Sequence, residues 1–243
     1  RPWYRQKLLE LYETRKEYDR AQKLLDAWID TTVEENLLRA LRGRKLMLYG
    51  KAGQFDRACE FTEQWGRQKT TERDLARQVL IQTLAEGKQF DRGQKLLDQW
   101  IGDGKDPSLK PLRYRKMELY RQAQQIDELV KYGLAWAREA PDDPLPRQTL
   151  VVVLVSGEQY DRAVSLLEGW LAEGATTRPA TAPATQASQP AGTDDEHRRW
   201  MREMVLRVLS IQGKFEQVAA LADEYLRAAP DDAELLLLQG NAL

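Results

Sequence analysis

The stretch Phe55-Asp56-Arg57-Ala58, with Trp65 ten residues after Phe55, decides how this chain is read, because it recurs. Near-copies stand at Tyr18-Asp19-Arg20-Ala21, Phe90-Asp91-Arg92-Gly93 and Tyr160-Asp161-Arg162-Ala163. Weaker ones stand at Ile126-Asp127-Glu128-Leu129 and Phe215-Glu216-Gln217-Val218. With the first residue of each as an anchor, the steps are 37, 35, 36, 34 and 55 residues, the last holding an insertion. Trp28, Trp65, Trp100, Trp136, Trp170 and Tyr225 each follow their anchor by ten. A fixed period kept in register is the signature of a repeat architecture.

Each unit predicts two amphipathic helices. After the anchor, apolar or small residues fall at three, six, seven and ten, as in Gly93, Leu96, Leu97 and Trp100, which is helical spacing. Before it they recur nine and six positions back, as in Leu46 and Tyr49 or Ile81 and Leu84. Gly53, Gly87, Gly157 and Gly213 precede their anchors, where a tight turn between helices needs a permissive backbone. The acidic residue after each anchor then meets the positive end of the second helix. Thr149 to Val155 is β-branched enough to pass for a buried strand, but its register places it in a first helix.

The unit resembles the tetratricopeptide repeat in its first-helix Leu and Tyr positions and in the small residue three after the turn aromatic. It shares the closing proline too, at Ala140-Pro141-Asp142-Asp143 and Ala229-Pro230-Asp231-Asp232. Two positions depart from that family: the residue nine before the anchor is large throughout, and the one ten after it is aromatic. The resemblance implies an all-α, superhelical α-solenoid of antiparallel helix-turn-helix hairpins that acts as a protein-binding scaffold. Five hairpins are expected over residues 1–174, and hairpin six with a truncated seventh over 196–243 of the same solenoid. Between them, residues 175–195 are rich in Ala, Thr and Pro and too poor in apolar groups to offset ordering entropy, so a disordered linker is expected. Leu235 to Leu238 is bare apolar sequence where a terminal repeat would carry a polar cap, which suggests an excerpt of a longer array.

Composition narrows the function. Lys+Arg 37 against Asp+Glu 38 opposes nucleic-acid binding through bulk positive charge. One cysteine, Cys59, and one histidine, His197, exclude an intrachain disulfide and leave a Cys/His metal site without ligands. No apolar run approaches the roughly 18 residues of a membrane span. No phosphate loop, GxSxG or HExxH occurs. His197, beside Arg198, Arg199 and Trp200, has no catalytic partner in the sequence. We therefore expect no catalytic residue, cofactor or metal, and a protein or peptide as partner. An RNA-binding helical repeat and a non-catalytic module of a larger enzyme or receptor are the alternatives.

An arginine stands thirteen before every anchor: Arg5, Arg42, Arg77, Arg113, Arg147 and Arg202. In an antiparallel hairpin it should meet the aromatic ten after the same anchor, giving the pairs Arg5–Trp28, Arg42–Trp65, Arg77–Trp100, Arg113–Trp136, Arg147–Trp170 and Arg202–Tyr225. Cation–π stacking would make each pair a latch inside its hairpin. Acidic residues eight after the anchor (Asp26, Glu63, Asp98, Glu168, Asp223, with Leu134 the exception) offer other partners, and a ladder gripping an acidic peptide or phosphate is the functional alternative. The family resemblance places a ligand on the concave face of the first helices. There Gln6, Gln78, Tyr114 and Gln148 project, with Met47, Glu118, Val152 and Arg207 further along.

Overall fold

The computed structural model describes residues 2–102, 109–176, 193–228 and 233–240. Among them the chain is an all-α, solenoid-like repeat of antiparallel hairpins. It divides into two compact units, Arg1–Gln124 and Gln125–Leu243. The first holds α1 (Pro2–Thr14), α2 (Tyr18–Asp30), α3 (Glu35–Lys51), α4 (Phe55–Gln68), a short 3-10 turn (Thr70–Glu72), α5 (Arg73–Glu86), α6 (Phe90–Gly102) and α7 (Leu109–Gln122). The second holds α8 (Ile126–Glu139), α9 (Leu145–Ser156), α10 (Tyr160–Thr176), α11 (Thr193–Ile211), α12 (Phe215–Ala228) and α13 (Ala233–Gly240). Every second helix begins at its anchor residue. The division falls inside the fourth sequence repeat, at a place the repeat register does not mark.

Second helices bury one stripe, and first helices bury two faces. In α2 the stripe is Ala21, Leu25 and Trp28. In α3, Leu41 and Leu48 join Leu9, Ala21 and Leu25 in one core, whereas Leu46 and Tyr49 join Ala58, Trp65 and Leu84 in the next. A first helix thus belongs to its own hairpin and to the preceding one, which is how a repeat that cannot bury its own apolar face is completed by a neighbour. The segment Thr149–Val155 is helical, within α9, and Leu150, Val151, Val153 and Leu154 are buried. Close approach of α3 and α5 is set at Gly50, where a Cβ would overlap the Thr83 Cγ2 methyl.

The turns correct one expectation. The left-handed residue lies two before the anchor in every repeat: Lys16, Gly53, Lys88, Gln124, Glu158 and Gly213, with φ between 57° and 71°. Gly53 and Gly213 fill it as anticipated. Gly87 (φ −80°) and Gly157 (φ −96°) sit one residue earlier and end their helices without needing positive φ. Lys88 and Glu158 take the strained place instead. What holds the turn is a pair of reversed hydrogen bonds: Gln54 N–H donates to Tyr49 C=O at 2.8 Å and Gly53 N–H to Gly50 C=O at 3.0 Å. The same pair recurs at Gln89/Lys88, Gln159/Glu158 and Lys214/Gly213. This pair of hydrogen bonds satisfies the last helical carbonyls and stabilises a left-handed residue even when it carries a side chain.

Most of the segment expected to be disordered lies outside the described residues. Its edges are helical: α10 runs through Thr176 and α11 begins at Thr193. α11 packs on α10 within the second unit, so the long fifth step inserts chain without separating the hairpins it joins.

Candidate functional site

Each arginine of the ladder lies early in a first helix, and each aromatic late in the second helix of the same hairpin. The guanidinium carbon stands 6.0 Å from the ring centroid for Arg5 and Trp28, 5.9 Å for Arg42 and Trp65, and 4.7 Å for Arg77 and Trp100. In the second unit the distances are 5.8 Å for Arg147 and Trp170 and 5.4 Å for Arg202 and Tyr225. Arg113 belongs to the first unit and Trp136 to the second. These separations reach the range in which a cation is attracted by an aromatic face. The arginines are half-buried, and Trp28, Trp65 and Trp136 are buried.

Around Trp65 the pair becomes a network that sequence spacing did not reveal. The Trp65 indole N–H donates to the Glu72 carboxylate at 2.6 Å, while Arg42 and Arg39 reach its two oxygens at 3.4 Å each. Glu72 is 5% exposed. It occurs once, in the 3-10 turn, so no repeat register points to it. Lysines form a second unforeseen feature. Lys45 and Lys116, ten before their anchors, are buried and paired with Asp26 and Asp98 of the preceding second helix. Lys45 also lies 4.5 Å from the Phe61 ring centroid. The acids eight after the anchor thus accept a lysine from the following first helix in these two repeats. A legible signal existed, since the same position is Leu8, Leu80, Leu150 and Val205 elsewhere.

The anchor motif also links repeats on the second-helix side. Arg92 pairs with Asp56, Arg162 with Asp127 at 2.7 Å, and Lys214 with Asp161 at 2.9 Å. Bonds from Gln212 and Lys214 hold the Asp161 carboxyl below its ordinary range. The carboxylates of these pairs are exposed, so solvent screening leaves each pair weak. On the opposite side, Glu13 of α1 accepts from Arg44 and Lys51 of α3, at 2.8 and 2.7 Å. Burial raises its carboxyl, but the two cations outweigh burial and leave it below the usual value.

The groove residues divide between the units. In the first, Gln6 and Gln78 are exposed, Met47 is 40% and Tyr114 is 44% exposed. Tyr114 and Glu118 of α7 join Gln82 of α5 around a small cleft of about 50 Å³. Glu118 is engaged within its own helix: Arg121 and Gln122 donate to it at 2.5 and 2.9 Å. Burial raises its carboxyl, and those two donors bring it below its ordinary value. In the second unit Val152 is 46% exposed, and Arg207 is paired with Glu234 of α13. Gln148 lines a cavity of about 370 Å³ with Arg147, Asp142, Glu196 and His197.

Elsewhere the chemistry is sparse. Cys59 is half-buried, and burial pushes its thiol up despite nearby Arg92, so its reactive thiolate is disfavoured. His197 stacks on Trp200 with the rings 3° from parallel and 5.8 Å apart. Among the described residues no group of three or more His, Cys, Asp or Glu is placed to hold a metal ion. Nor is any described helix long and apolar enough to cross a membrane. No protein-family model matches the chain, and no curated protein matches it.

Proposed function

We propose that this chain is a protein–protein interaction scaffold of the tetratricopeptide type, which binds a peptide or protein surface along its first helices. The observation that carries the reading is Tyr114. A large aromatic ring stands 44% exposed on a first helix, beside a cleft edged by Gln82 and Glu118, while the apolar positions of the same helix are buried. A rigid aromatic presented by a packed helix is the usual form of a binding anchor. Four residues after the Tyr114 position the first helices differ from repeat to repeat (Glu10, Met47, Gln82, Glu118, Val152, Arg207), whereas the positions nine and six before the anchor stay large and apolar or aromatic. A fixed frame with a varied face is how repeat arrays achieve selectivity. On this reading the arginine ladder is internal, since each of the five guanidinium groups measured above already faces a ring of its own hairpin.

The test is to select peptides from a random display library on the purified chain and synthesise the strongest binder. Its affinity is then measured for the wild type, Tyr114→Ala and Lys95→Ala. Lys95 is exposed on second helix α6 and serves as the control. Tyr114→Ala should weaken binding by about 5–30-fold, the equivalent of about 1–2 kcal/mol. Binding lost through Lys95 and untouched through Tyr114 would place the interface on the second-helix side.

A further inference from the structure

The fourth repeat breaks the composition of the second-helix face. At four and eight after the anchor the other repeats carry Gln22 and Asp26, Cys59 and Glu63, Gln94 and Asp98, Val164 and Glu168, or Ala219 and Asp223. Here the two are Val130 and Leu134, both apolar. In the second unit they stand on α8 facing Leu166 of α10, and all three side chains are only half-buried. Together they floor a cleft of about 690 Å³, a volume in the range of specific binding sites. No first-helix residue lines it, so it is separate from the groove described above.

Charge around this floor is unequal. At the start of α8 and α10, Asp127 and Arg162 neutralise each other at 2.7 Å. At the far end of α8, Arg138 makes no hydrogen bond or ion pair among the described residues, and Lys131 reaches only Glu128, at 4.0 Å. The open end of an apolar cleft is therefore cationic. Asp127 and Arg138 are eleven residues apart, about 16 Å along the helix, which is about three turns of a second helix laid alongside.

We propose that the α8–α10 cleft docks a short amphipathic helix of a partner protein, which sets two leucine-sized side chains on Val130, Leu134 and Leu166 and a carboxylate against Arg138. This is helix-in-groove recognition, in which side chains one turn apart fill the apolar floor. The flanking carboxylate supplies the charge that Arg138 lacks, and the Asp127–Arg162 pair leaves the other end neutral. The site thus gives the scaffold a second surface, chemically distinct from the groove and specific for acidic amphipathic segments.

Two synthetic helical peptides test this: one with Leu at i and i+4 and Glu at i+8, the other identical but with Lys for Glu. Binding is followed by anisotropy and by the methyl resonances of Val130, Leu134 and Leu166. The acidic peptide should shift those methyls, and its Lys counterpart should bind about tenfold more weakly. Leu134→Asp, which restores the residue type of the other repeats, should weaken the acidic peptide at least tenfold, and Arg138→Glu should invert the preference between peptides. A melting curve for each variant confirms folding, and Arg138→Glu, on an exposed side chain, keeps the test decisive should Leu134→Asp unfold. Unmoved methyls, equal binding of both peptides, or insensitivity to Leu134→Asp in a folded protein would overturn the proposal. Tyr114→Ala should leave this binding unchanged. Loss through Tyr114 without loss through Leu134 would overturn the cleft and leave the groove standing.

Discussion

Replacing Glu72 by alanine removes the acceptor that Trp65, Arg42 and Arg39 share. Trp65 is 1% exposed, so water cannot take the place of the carboxylate at its indole N–H. The 2.6 Å bond is charge-assisted, and losing such a bond costs about 1.5–3 kcal/mol. The Arg42 side chain, 12% exposed, also loses its counter-charge, though it keeps the Trp65 ring. At 3.4 Å the arginine contacts are long and add little individually. A total of about 2–4 kcal/mol is expected for Glu72→Ala. Glu72→Gln retains an oxygen for Trp65 and loses only the charge, so about half that cost is expected. Urea unfolding followed by circular dichroism gives the difference, and hydrogen exchange at the Trp65 indole gives a local readout. If alanine cost less than about 1 kcal/mol, or if alanine and glutamine cost the same, Glu72 would not be the buried acceptor argued above.

A double-mutant cycle on Arg77→Ala and Trp100→Ala should show a coupling of about 0.5–2 kcal/mol, because this pair is the most closely approached of those measured; zero coupling would free the arginines for ligand binding. Gly50→Ala should lower stability by about 1–2 kcal/mol despite alanine's better helix propensity, since Thr83 is pinned by its hydroxyl bond to the Val79 carbonyl and cannot swing away. Adding Thr83→Ser removes the offending methyl and should restore part of the loss in the same melting assay. Glu13 gives a pH signature: its carboxyl is lower in the folded chain than in the unfolded one. Its stabilisation is therefore complete above the unfolded value and fades as pH falls through the folded one. Glu13→Gln should flatten the acid side of the stability–pH curve and leave the neutral side parallel to the wild type.

Helix placement, which the repeat fixes, was legible; contacts that occur once, or that join one repeat to the next, were not. The helix starts at each anchor and the approach of Arg77 to Trp100 could be read from spacing, since every hairpin imposes the same geometry on the same positions. The turn was half legible. A glycine draws attention to itself, but the motif needs left-handed backbone at a fixed place, and Lys88 and Glu158 supply it where Gly87 and Gly157 lie one residue early. Glu72 escaped because it stands outside the repeat. Lys45 and Lys116 escaped because lysine is expected in water, although their register shares a position with Leu80 and Leu150. The acid after each anchor was read against the helix dipole, and the cation of the next repeat that meets Asp56, Asp127 and Asp161 went unnoticed. The groove residues could be placed on first helices from periodicity. Whether each was open was only partly legible: the Arg121 and Gln122 donors of Glu118 stand at helical spacing from it, but Arg207 is engaged by Glu234, which only the folded chain brings near.

The most direct test of the scaffold reading is to ask where a selected peptide lies. A benzophenone side chain is placed in the strongest display-derived peptide, the complex is irradiated, and the modified residues are read by mass spectrometry. Cross-links at Met47, Gln78 and Tyr114, lost on addition of excess unlabelled peptide, are expected if the first helices bind. Competable cross-links confined to second helices, at Lys95 and its neighbours on α6, would contradict it.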